Sequence, residues 1–343
     1  MMSTWLWGAV LIAAVWAAHW GAEQLGEPLG KLRSRWGLTQ VAGAALVGIA
    51  AASPEIGINA TSALKRVADI GLGTMLGSNI IAIPMVVTTA YIASRQPQLG
   101  KPNQAEAGED QEAHTRHRQQ RFMRIERDAV TVQAIPYIAI VAVVALLALP
   151  APWRGLQPID GWIMLAVYGA YLAQAIFRGR QPGQATQWSQ EEIAIAIAGI
   201  LALAIGAYST VTATENIVAA IGISEIIGGL FITAPMAMLP ELFATWSITR
   251  SGQITAATAS VIGDHAVTMT VAFFPLALAT VSISNLPLFI TNLVFVALVP
   301  TAYAVFIHWG TPEHGFALWQ VLALDSLVLI YLVIVLWGVL NGI

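Results

Sequence analysis

The sequence Ala51-Ala52-Ser53-Pro54-Glu55 decides the fold, because it places a proline and an ionisable carboxylate inside an apolar run long enough to cross a bilayer. Both residue types are costly at that depth, so their presence indicates a functional role. The same pattern returns 186 residues later, where Leu239-Pro240-Glu241 repeats Ser53-Pro54-Glu55. Gly263-Asp264-His265 follows Gly77-Ser78-Asn79 at the same offset. The chain therefore carries two matched carboxylates in two related membrane segments.

Composition assigns the chain to the polytopic membrane proteins. Hydrophobic residues make up 57% of its 343 residues and charged residues only 10%, against about 25% charged residues in a soluble domain. The lipid bilayer is therefore an expected partner, and nucleic acid is not. The sequence has no cysteine, which excludes disulfides, thiolate metal sites and cysteine nucleophiles. It has no nucleophile elbow and no phosphate-binding loop, so we expect neither an enzyme nor a bound cofactor.

The apolar segments predict an all-α polytopic fold with ten transmembrane helices. They fall at residues 4–25, 38–64, 69–94, 129–150, 158–178, 190–209, 224–249, 254–281, 284–308 and 317–341. The first segment begins close to Met1 without a basic n-region or a cleavage site, and we interpret it as a transmembrane helix rather than a signal peptide.

Two polar segments divide these helices. Residues 96–128 mix both signs of charge with Gln, Pro and Gly, which predicts a solvated cytoplasmic loop in which His114 and His117 contact water rather than a metal. Residues 179–189 are the predicted linker between the two halves. The first half comprises helices 1 to 3 in residues 1–95 and helices 4 and 5 in residues 129–178, and the second half comprises helices 6 to 10 in residues 190–343.

Positive charge predicts the orientation of the helices. Of the 16 Lys and Arg residues, thirteen lie in the loops after helices 1, 3, 5, 7 and 9, and three lie in the loops on the other side. The loops that hold thirteen Lys and Arg residues should be cytoplasmic by the positive-inside rule, which places both termini outside the cytoplasm. A bacterial inner membrane is the expected location.

Five helices in each half make the second half enter the membrane from the opposite side, so the two halves are predicted to form inverted repeats. Such repeats are typical of alternating-access transporters, whose ion sites lie near the membrane midplane where Gly or Pro breaks the helices. We expect breaks at Pro54 with Gly57, at Gly71, Gly73 and Gly77, at Pro240 and at Gly263.

The matched glutamates, together with the carbonyls that precede the prolines, predict a site for a hard divalent cation. A proline removes one backbone donor, so carbonyl oxygens such as those of Ala51 and Ala237 could face the cation. Carboxylates and carbonyls make an all-oxygen site, and calcium takes about six to eight such ligands. Asn59 and Thr245 stand four residues after the glutamates, on the same helix faces. A kink with a polar partner would explain either glutamate alone, but the symmetric pair favours a site.

Residues 53–79 and 239–265 resemble the two alpha repeats of the cation/calcium antiporter superfamily, which includes sodium/calcium and proton/calcium exchangers. The resemblance covers nearly the whole chain, with its helix number, its repeat spacing and the pair Arg127-Asp128 before the fourth helix. It implies a ten-helix fold in which helices 2, 3, 7 and 8 surround the ion sites.

The resemblance also implies roles for individual residues. Glu55 and Glu241 would be the calcium-binding carboxylates, and Ser78 and Asp264 would line the same cavity. Sodium-coupled members typically read Gly-Thr-Ser-Leu-Pro-Glu. This chain has only alanine or methionine at the glycine, threonine and serine places of both repeats, in Ala50-Ala51-Ala52 and Met236-Ala237-Met238.

A second departure concerns the coupling ion. Asp264 stands in place of the usual serine and is followed by His265. Hydroxyl ligands for sodium are thus lost and a titratable pair is gained, which favours protons, because a carboxylate in a low-dielectric site can exchange a proton for a cation. Glu55 and Glu241 could take part in the same proton exchange. His265 could instead be a hydrogen-bonding neighbour of the site.

The sequence therefore favours a secondary active antiporter that exchanges calcium, or a related divalent cation, for protons. A sodium/calcium exchanger on the same fold is the alternative. A cation channel or a non-transporting membrane scaffold would explain the apolar spans, but not the matched glutamates after proline. Asp325, isolated in the last span, is expected to make a packing or oligomer contact rather than to lie in the transport path.

Overall fold

Helices dominate the structure, a computed structural model that describes residues 3–37, 48–97, 99, 114–115, 118–119, 122–125, 127–150, 154–178, 188–310 and 314–340. The helices are α1 (Thr4–Arg35), α2 (Ser53–Lys65), α3 (Ala68–Ala93), α4 (Arg127–Ala148), α5 (Pro158–Arg178), α6 (Gln190–Ile221), α7 (Glu225–Gly228), α8 (Ala234–Arg250), α9 (Ile254–Thr268), α10 (Phe273–Leu278), α11 (Leu286–Trp309) and α12 (Leu318–Leu340). A five-residue π-helix, Gly229–Thr233, joins α7 to α8. The strands β1 (Phe122–Arg124) and β2 (Gly315–Ala317) pair in antiparallel orientation.

Seven helical stretches within the described ranges are long and apolar enough to cross a membrane. They are Thr4–Leu32, Ala68–Ala93, Gln190–Ile221, Glu225–Arg250, Ile254–Leu278, Leu286–Trp309 and Leu318–Gly338. α2 has only 13 residues, because it begins after a turn at Ala52. Residues 38–47, where the predicted second span begins, lie outside the described part of the chain. In α4 the apolar portion is the shorter Ile135–Ala148. The all-helical membrane class is confirmed, and the ten-helix inverted repeat stays a prediction.

Most of the predicted helix breaks are absent. The break near Pro54 is present, because α2 begins at Ser53 directly after a turn at Ala52. In contrast, α3, α8 and α9 run without interruption through residues 71–77, Pro240 and Gly263, so the predictions of breaks there are wrong. The physical reason is that one glycine costs a helix only about 1 kcal/mol, and a membrane helix tolerates proline where neighbouring groups satisfy the freed carbonyl.

Irregular backbone occurs instead in the π-helix and in a turn at residues 269–272, between α9 and α10. Pro275 explains the turn, because it has no N–H to donate to the carbonyl of Val271. That carbonyl accepts a hydrogen bond from the N–H of Phe274 instead, at 3.3 Å. The π-helix is the type of local irregularity that frequently marks functional sites.

One compact unit comprises Met1–Gly77, Val143–Ala237 and Gly263–Ile283. Its long helices α1 and α6 approach closely at glycine: a Cβ atom on Gly206 would lie 2.7 Å from the carbonyl oxygen of Ala14. α3 passes the π-helix in the same way, and a Cβ atom on Gly229 would lie 2.8 Å from the amide nitrogen of Thr74. Such small residues let helix backbones pack together in a membrane.

α1 and α6 extend further than hydropathy predicts. α1 ends at Arg35 instead of residue 25, and α6 ends at Ile221 instead of residue 209. Each has 32 residues and is therefore about 48 Å long, whereas the hydrocarbon core of a bilayer is about 30 Å thick. The charged ends can thus remain helical outside the hydrocarbon, where Lys31 of α1 forms an ion pair with Glu192 of α6.

The other compact unit comprises Ser78–Ala142, Met238–Ile262 and Ser284–Ile343. α11 and α12 are joined in it by the hydroxyl of Tyr331, which donates to Oδ1 of Asn292 at 2.7 Å. The strand pair places Met123 opposite Phe316, and both side chains are fully buried. Part of the predicted solvated loop is therefore ordered protein core.

His114 corrects the same loop prediction. Its side chain is buried, and its Nε2 atom lies 2.9 Å from the carbonyl oxygen of Gln96. A backbone carbonyl, rather than bulk water, is thus the partner of this imidazole. His117, for which solvation was also predicted, lies outside the described residues.

Candidate cation site

Glu55 lies in the first turn of α2, in the unit that contains residues 1–77. Pro54 occupies the first helical turn, where its missing N–H costs nothing and its fixed φ favours the helix. The Glu55 side chain is only 8% exposed. The helix N-terminus stabilises a negative charge at this position, which lowers the cost of burying the carboxylate.

The carbonyls before Pro54 are less available than predicted. Pro54 leaves the carbonyl of Ala50 without its helical donor, but the hydroxyl of Ser53 donates to that oxygen at 2.7 Å. The carbonyl of Ala52 accepts from the N–H of Ile56 at 3.0 Å. In the second repeat Leu239 stands in the place of Ser53 and has no hydroxyl with which to make the same bond.

The two alanines named as carbonyl ligands differ in their surroundings. Ala51 is exposed, and its carbonyl lies in the short helical segment just before the turn at Ala52. Ala237 is half-buried and packs against a cluster that includes Ile58 and Val211. Their role as ligands stays a prediction.

Asn59 lies one turn after Glu55 and connects α2 with the turn between α9 and α10. Its Nδ2 donates to the carbonyl oxygen of Ala272 at 2.8 Å, and its side chain is 1% exposed. Its Oδ1 is buried and has no hydrogen-bond partner in the part of the chain that the structure describes. That oxygen faces Gly71 of α3, since a Cβ atom on Gly71 would lie 3.0 Å from it. Asn59 therefore offers a buried, neutral amide oxygen, one of the oxygen types that bind calcium.

Asp264 and His265 lie on α9, in the same unit as Glu55. Asp264 is half-buried and His265 is 1% exposed. Thr268, one turn later, donates its hydroxyl to the carbonyl oxygens of Asp264 at 3.0 Å and His265 at 3.1 Å. Val267 of α9 belongs to one buried cluster with Tyr168 and with Ala52, the residue before α2. α9 therefore lies near the start of α2, and the approach of Asp264 to Glu55 stays a prediction.

Glu241 and Thr245 lie on α8 in the other unit, where Glu241 is half-buried and Thr245 is 3% exposed. The same unit contains Ser78 and Asn79 of α3, both of which are buried. The hydroxyl of Tyr137 donates to Oδ1 of Asn79 at 2.9 Å. Tyr137 was not predicted, and no local sequence signal identifies it, because it lies 58 residues from Asn79.

Carboxylates alone do not complete a metal site. Among the described residues, no group of three Asp, Glu or His side chains is arranged to hold a metal ion. A cation site here would need amide, hydroxyl or carbonyl oxygens as well, which suits calcium. The cavity shared by Glu55, Glu241 and Asp264 stays a prediction.

Asp325 of α12 makes the packing contact that its isolated position favours. The hydroxyl of Thr88 on α3 lies 2.9 Å from both of its carboxylate oxygens. Because a carboxylate can accept this hydrogen bond from α3, the polar group in α12 has a partner within the protein.

The sequence model of the family described as sodium/calcium exchanger protein matches residues 5–177, just over half of the chain. The chain belongs to this family. No curated protein sequence matches this exchanger-family chain significantly.

Solved structures with the same fold include two kinds of exchanger. One is the sodium-calcium exchanger NCX_Mj soaked with 2.5 mM Na+ and 10 mM Sr2+, which superposes with a TM-score of 0.60 at 16% sequence identity. The match covers 96% of this exchanger-family chain and 99% of the NCX_Mj chain. The same exchanger soaked with zero Na+ and Ca2+ has a TM-score of 0.57 and 15% identity over the same shares. The H+/Ca2+ exchanger CAX has a TM-score of 0.67 and 13% identity, over 97% of this chain and 80% of its own. At these identities the likeness shows the fold.

Proposed function

We propose that this protein is a secondary active antiporter that exchanges calcium, or a related divalent cation, for protons by alternating access. Membership of the exchanger family supports cation/calcium antiport in an integral membrane protein. The finer assignment rests on the residues of the candidate site. Both termini are proposed to lie outside the cytoplasm of a bacterial cell.

A divalent substrate is supported by the matched carboxylates Glu55 and Glu241. Two negative charges balance one divalent cation, and the amide oxygen of Asn59 and the hydroxyl of Thr245 are buried one turn away on the same helices. An all-oxygen ligand set with no sulfur is the set that hard cations prefer. Ser78 and the carbonyls near the two prolines would supply further oxygens.

The observation that carries the choice of counter-ion is the substitution pattern around the glutamates. Ala50-Ala51-Ala52 and Met236-Ala237-Met238 have no side-chain oxygen that could bind sodium, whereas α9 adds Asp264 and His265. Carboxylates that lie near one another in a membrane site cannot all be ionised cheaply without a cation. A proton would therefore occupy the empty site, and a divalent cation would displace it.

A sodium-coupled exchanger is the second candidate, because the family model that matches the chain is named for sodium/calcium exchange. It would have to bind sodium without the hydroxyl side chains that the two motifs lack. Glu55, Asn59 and Asp264 would then be the oxygen ligands that remain in the first unit.

Purified protein in sealed vesicles distinguishes the two candidates. We expect calcium uptake when a pH gradient alone is imposed, and no more than background uptake when a sodium gradient alone is imposed. Vesicles that contain the Glu55→Gln protein serve as the matched control for leakage. Uptake that follows the sodium gradient and ignores pH would replace the proton proposal with the sodium candidate, and uptake without any counter-gradient, down the calcium gradient only, would indicate a channel.

A further inference from the structure

A groove with a volume of about 510 Å³ lies beside the first turns of α1. Pockets that bind small molecules typically have volumes of about 300–1,000 Å³. One wall of the groove consists of Trp5, Gly8, Ala9 and Ile12, whose spacing of i, i+3, i+4 and i+7 places them on one face of the helix. Trp5 is 91% exposed and Ile12 is 50% exposed, so the groove is open along this wall.

The other wall belongs to the π-helix and to the first turn of α8. The π-helix contributes Phe231 and Ile232, and α8 contributes Pro235. Ile232 also packs against the buried cluster that contains Leu11 and Ile217, and these two residues form the floor of the groove. Both walls and the floor belong to the same compact unit.

The depth of the groove places it within one leaflet of the membrane. Its three sides come from the apolar stretches Thr4–Leu32, Gln190–Ile221 and Glu225–Arg250, each of which is long enough to span the bilayer. Ile12 lies about 12 Å along α1 from its first residue, and half of the hydrocarbon core is about 15 Å thick. The exposed apolar face continues along α1 to Trp16. The open side of the groove is therefore continuous with the surface that contacts lipid.

The lining excludes polar occupants. Among the described residues that form the groove, no side chain is charged or carries a hydroxyl or an amide. An apolar cavity does not hold water, and a hard cation would find no side-chain oxygen there. Gly8 adds to the open space, because no atom lies within 4 Å of its Cβ position.

An acyl chain suits this groove better than it suits the rest of the lipid-facing surface. Lipid tails are as apolar as the side chains that they meet, so the hydrophobic effect gives no preference among sites in a membrane. The preference comes from dispersion contacts, each of which is small and which add up over many atoms. A tail in the groove has protein on three sides, whereas a tail on the outer face of a helix has protein on one side only.

We propose that this groove binds an acyl chain of a membrane phospholipid, which packs against the π-helix as a part of the folded unit. This lipid site goes beyond the proposed function and does not depend on the transported ions. A ligand that binds only the folded protein stabilises it, so the bound phospholipid should raise the temperature of unfolding.

A phospholipid with a photoreactive diazirine in its acyl chain tests the site in vesicles. We expect cross-links to residues 5–12 and 231–236 at a yield at least about fivefold above that at Val333, which is 65% exposed on α12. Gly8→Leu places a side chain in the groove and should lower this yield to the level of Val333. Gly26→Leu is the matched control, because Gly26 lies on the same helix outside the groove and its Cβ position is equally open. Yields at the groove that equal the yield at Val333, or that Gly8→Leu leaves unchanged, would overturn the proposal.

Thermal unfolding in detergent gives a second measurement. Added phospholipid should raise the Tm of the unmodified protein and of Gly26→Leu by about 2 °C or more, and should leave the Tm of Gly8→Leu unchanged. An equal shift in all three proteins would contradict a site in the groove. If Gly8→Leu does not insert, Ala9→Leu takes its place with the same two outcomes.

The mass of the purified protein tests another occupant of the groove, a second copy of this chain. We expect native mass spectrometry to show one chain with one phospholipid, and expect Gly8→Leu to lose the phospholipid. Two chains without phospholipid, separated into single chains by Gly8→Leu, would replace the lipid site with a dimer contact. None of these measurements uses transport, so the lipid site and the proposed function can fail separately.

Discussion

At the scale of single residues, the buried polar side chains include a carboxylate, an amide and an imidazole. Glu55, Asn59 and His265 are all less than 9% exposed, although burying charged or amide groups is costly without compensation. The helix N-terminus compensates Glu55, and the carbonyl of Ala272 compensates the amide nitrogen of Asn59. Apolar side chains would pack at lower cost, so the stability of the fold does not by itself require these residues.

The paired glutamates give the first prediction. Glu55→Gln and Glu241→Gln should each reduce divalent uptake to background, because the amide keeps the size of the side chain but removes one of the two charges that balance the cation. Uptake of radioactive calcium into vesicles measures this, and elution as a single peak in detergent shows that the protein is folded. Glu191→Gln, at the exposed start of α6, is the matched control and should transport normally. Near-normal uptake by either site variant would contradict the site.

Asp264 gives a prediction about pH. Protons and divalent cations compete for the same carboxylates, so lowering the pH should weaken the apparent affinity for calcium, by up to about tenfold per pH unit for each proton released. Asp264→Ser, which restores the residue usual in the family, should flatten this dependence. The measurement is calcium binding or half-saturation of uptake between about pH 5.5 and 8.5. An affinity of the unmodified protein that is flat over this range, yet steep in sodium, would exclude proton coupling.

At the scale of helices and turns, glycine serves close packing rather than helix breaking. Gly73 and Gly229 place α3 against the π-helix, where a Cβ atom on Gly229 would lie 2.9 Å from the Cα of Gly73. The contact fixes α3 next to the segment that leads into α8. Irregular backbone at membrane depth is tolerated only where protein or a cavity surrounds it, and the π-helix has Thr233 bonded to Thr214 of α6 at 2.7 Å.

Gly229→Ala tests this contact. The added methyl group would have to displace the backbone of α3, and we expect a loss of about 1–3 kcal/mol of stability. Gly169→Ala in α5 is the control, because no atom lies within 4 Å of its Cβ position, and it should leave stability unchanged or raise it by up to about 1 kcal/mol. Thermal unfolding in detergent compares the two proteins. Equal midpoints would show that the crossing is looser than the structure indicates.

At the scale of the whole molecule, the distribution of Lys and Arg predicts which side each loop occupies. Cysteines introduced singly at Gly108, in the predicted cytoplasmic loop, and at Ile343 should be labelled from opposite sides of the membrane, because ten spans and thirteen of 16 positive charges on one side require it. Both positions lie outside the described residues, so labelling tests the sequence prediction directly. Labelling from the same side would mean an odd number of spans or a wrong repeat assignment.

The sequence by itself determined the membrane class and the pair of motifs. Transfer of a residue into lipid has a free energy that depends mainly on its own side chain, so the composition and length of each apolar run are sufficient evidence. The spacing between Glu55 and Glu241 likewise needs no structure, because repeats are visible in the chain itself. Membership of the exchanger family confirms the membrane class, whereas the pairing of the two motifs stays a prediction.

Only the tertiary structure decided where the helices are irregular and what the buried polar groups contact. Asn59 meets Ala272 across 213 residues and Tyr137 meets Asn79 across 58, and the π-helix precedes Pro240 instead of coinciding with it. Periodicity indicates which face of a helix is buried, but not which neighbour that face meets. Hydrogen bonds depend on atoms that come within about 3 Å, and their positions follow from the packing of all the helices together.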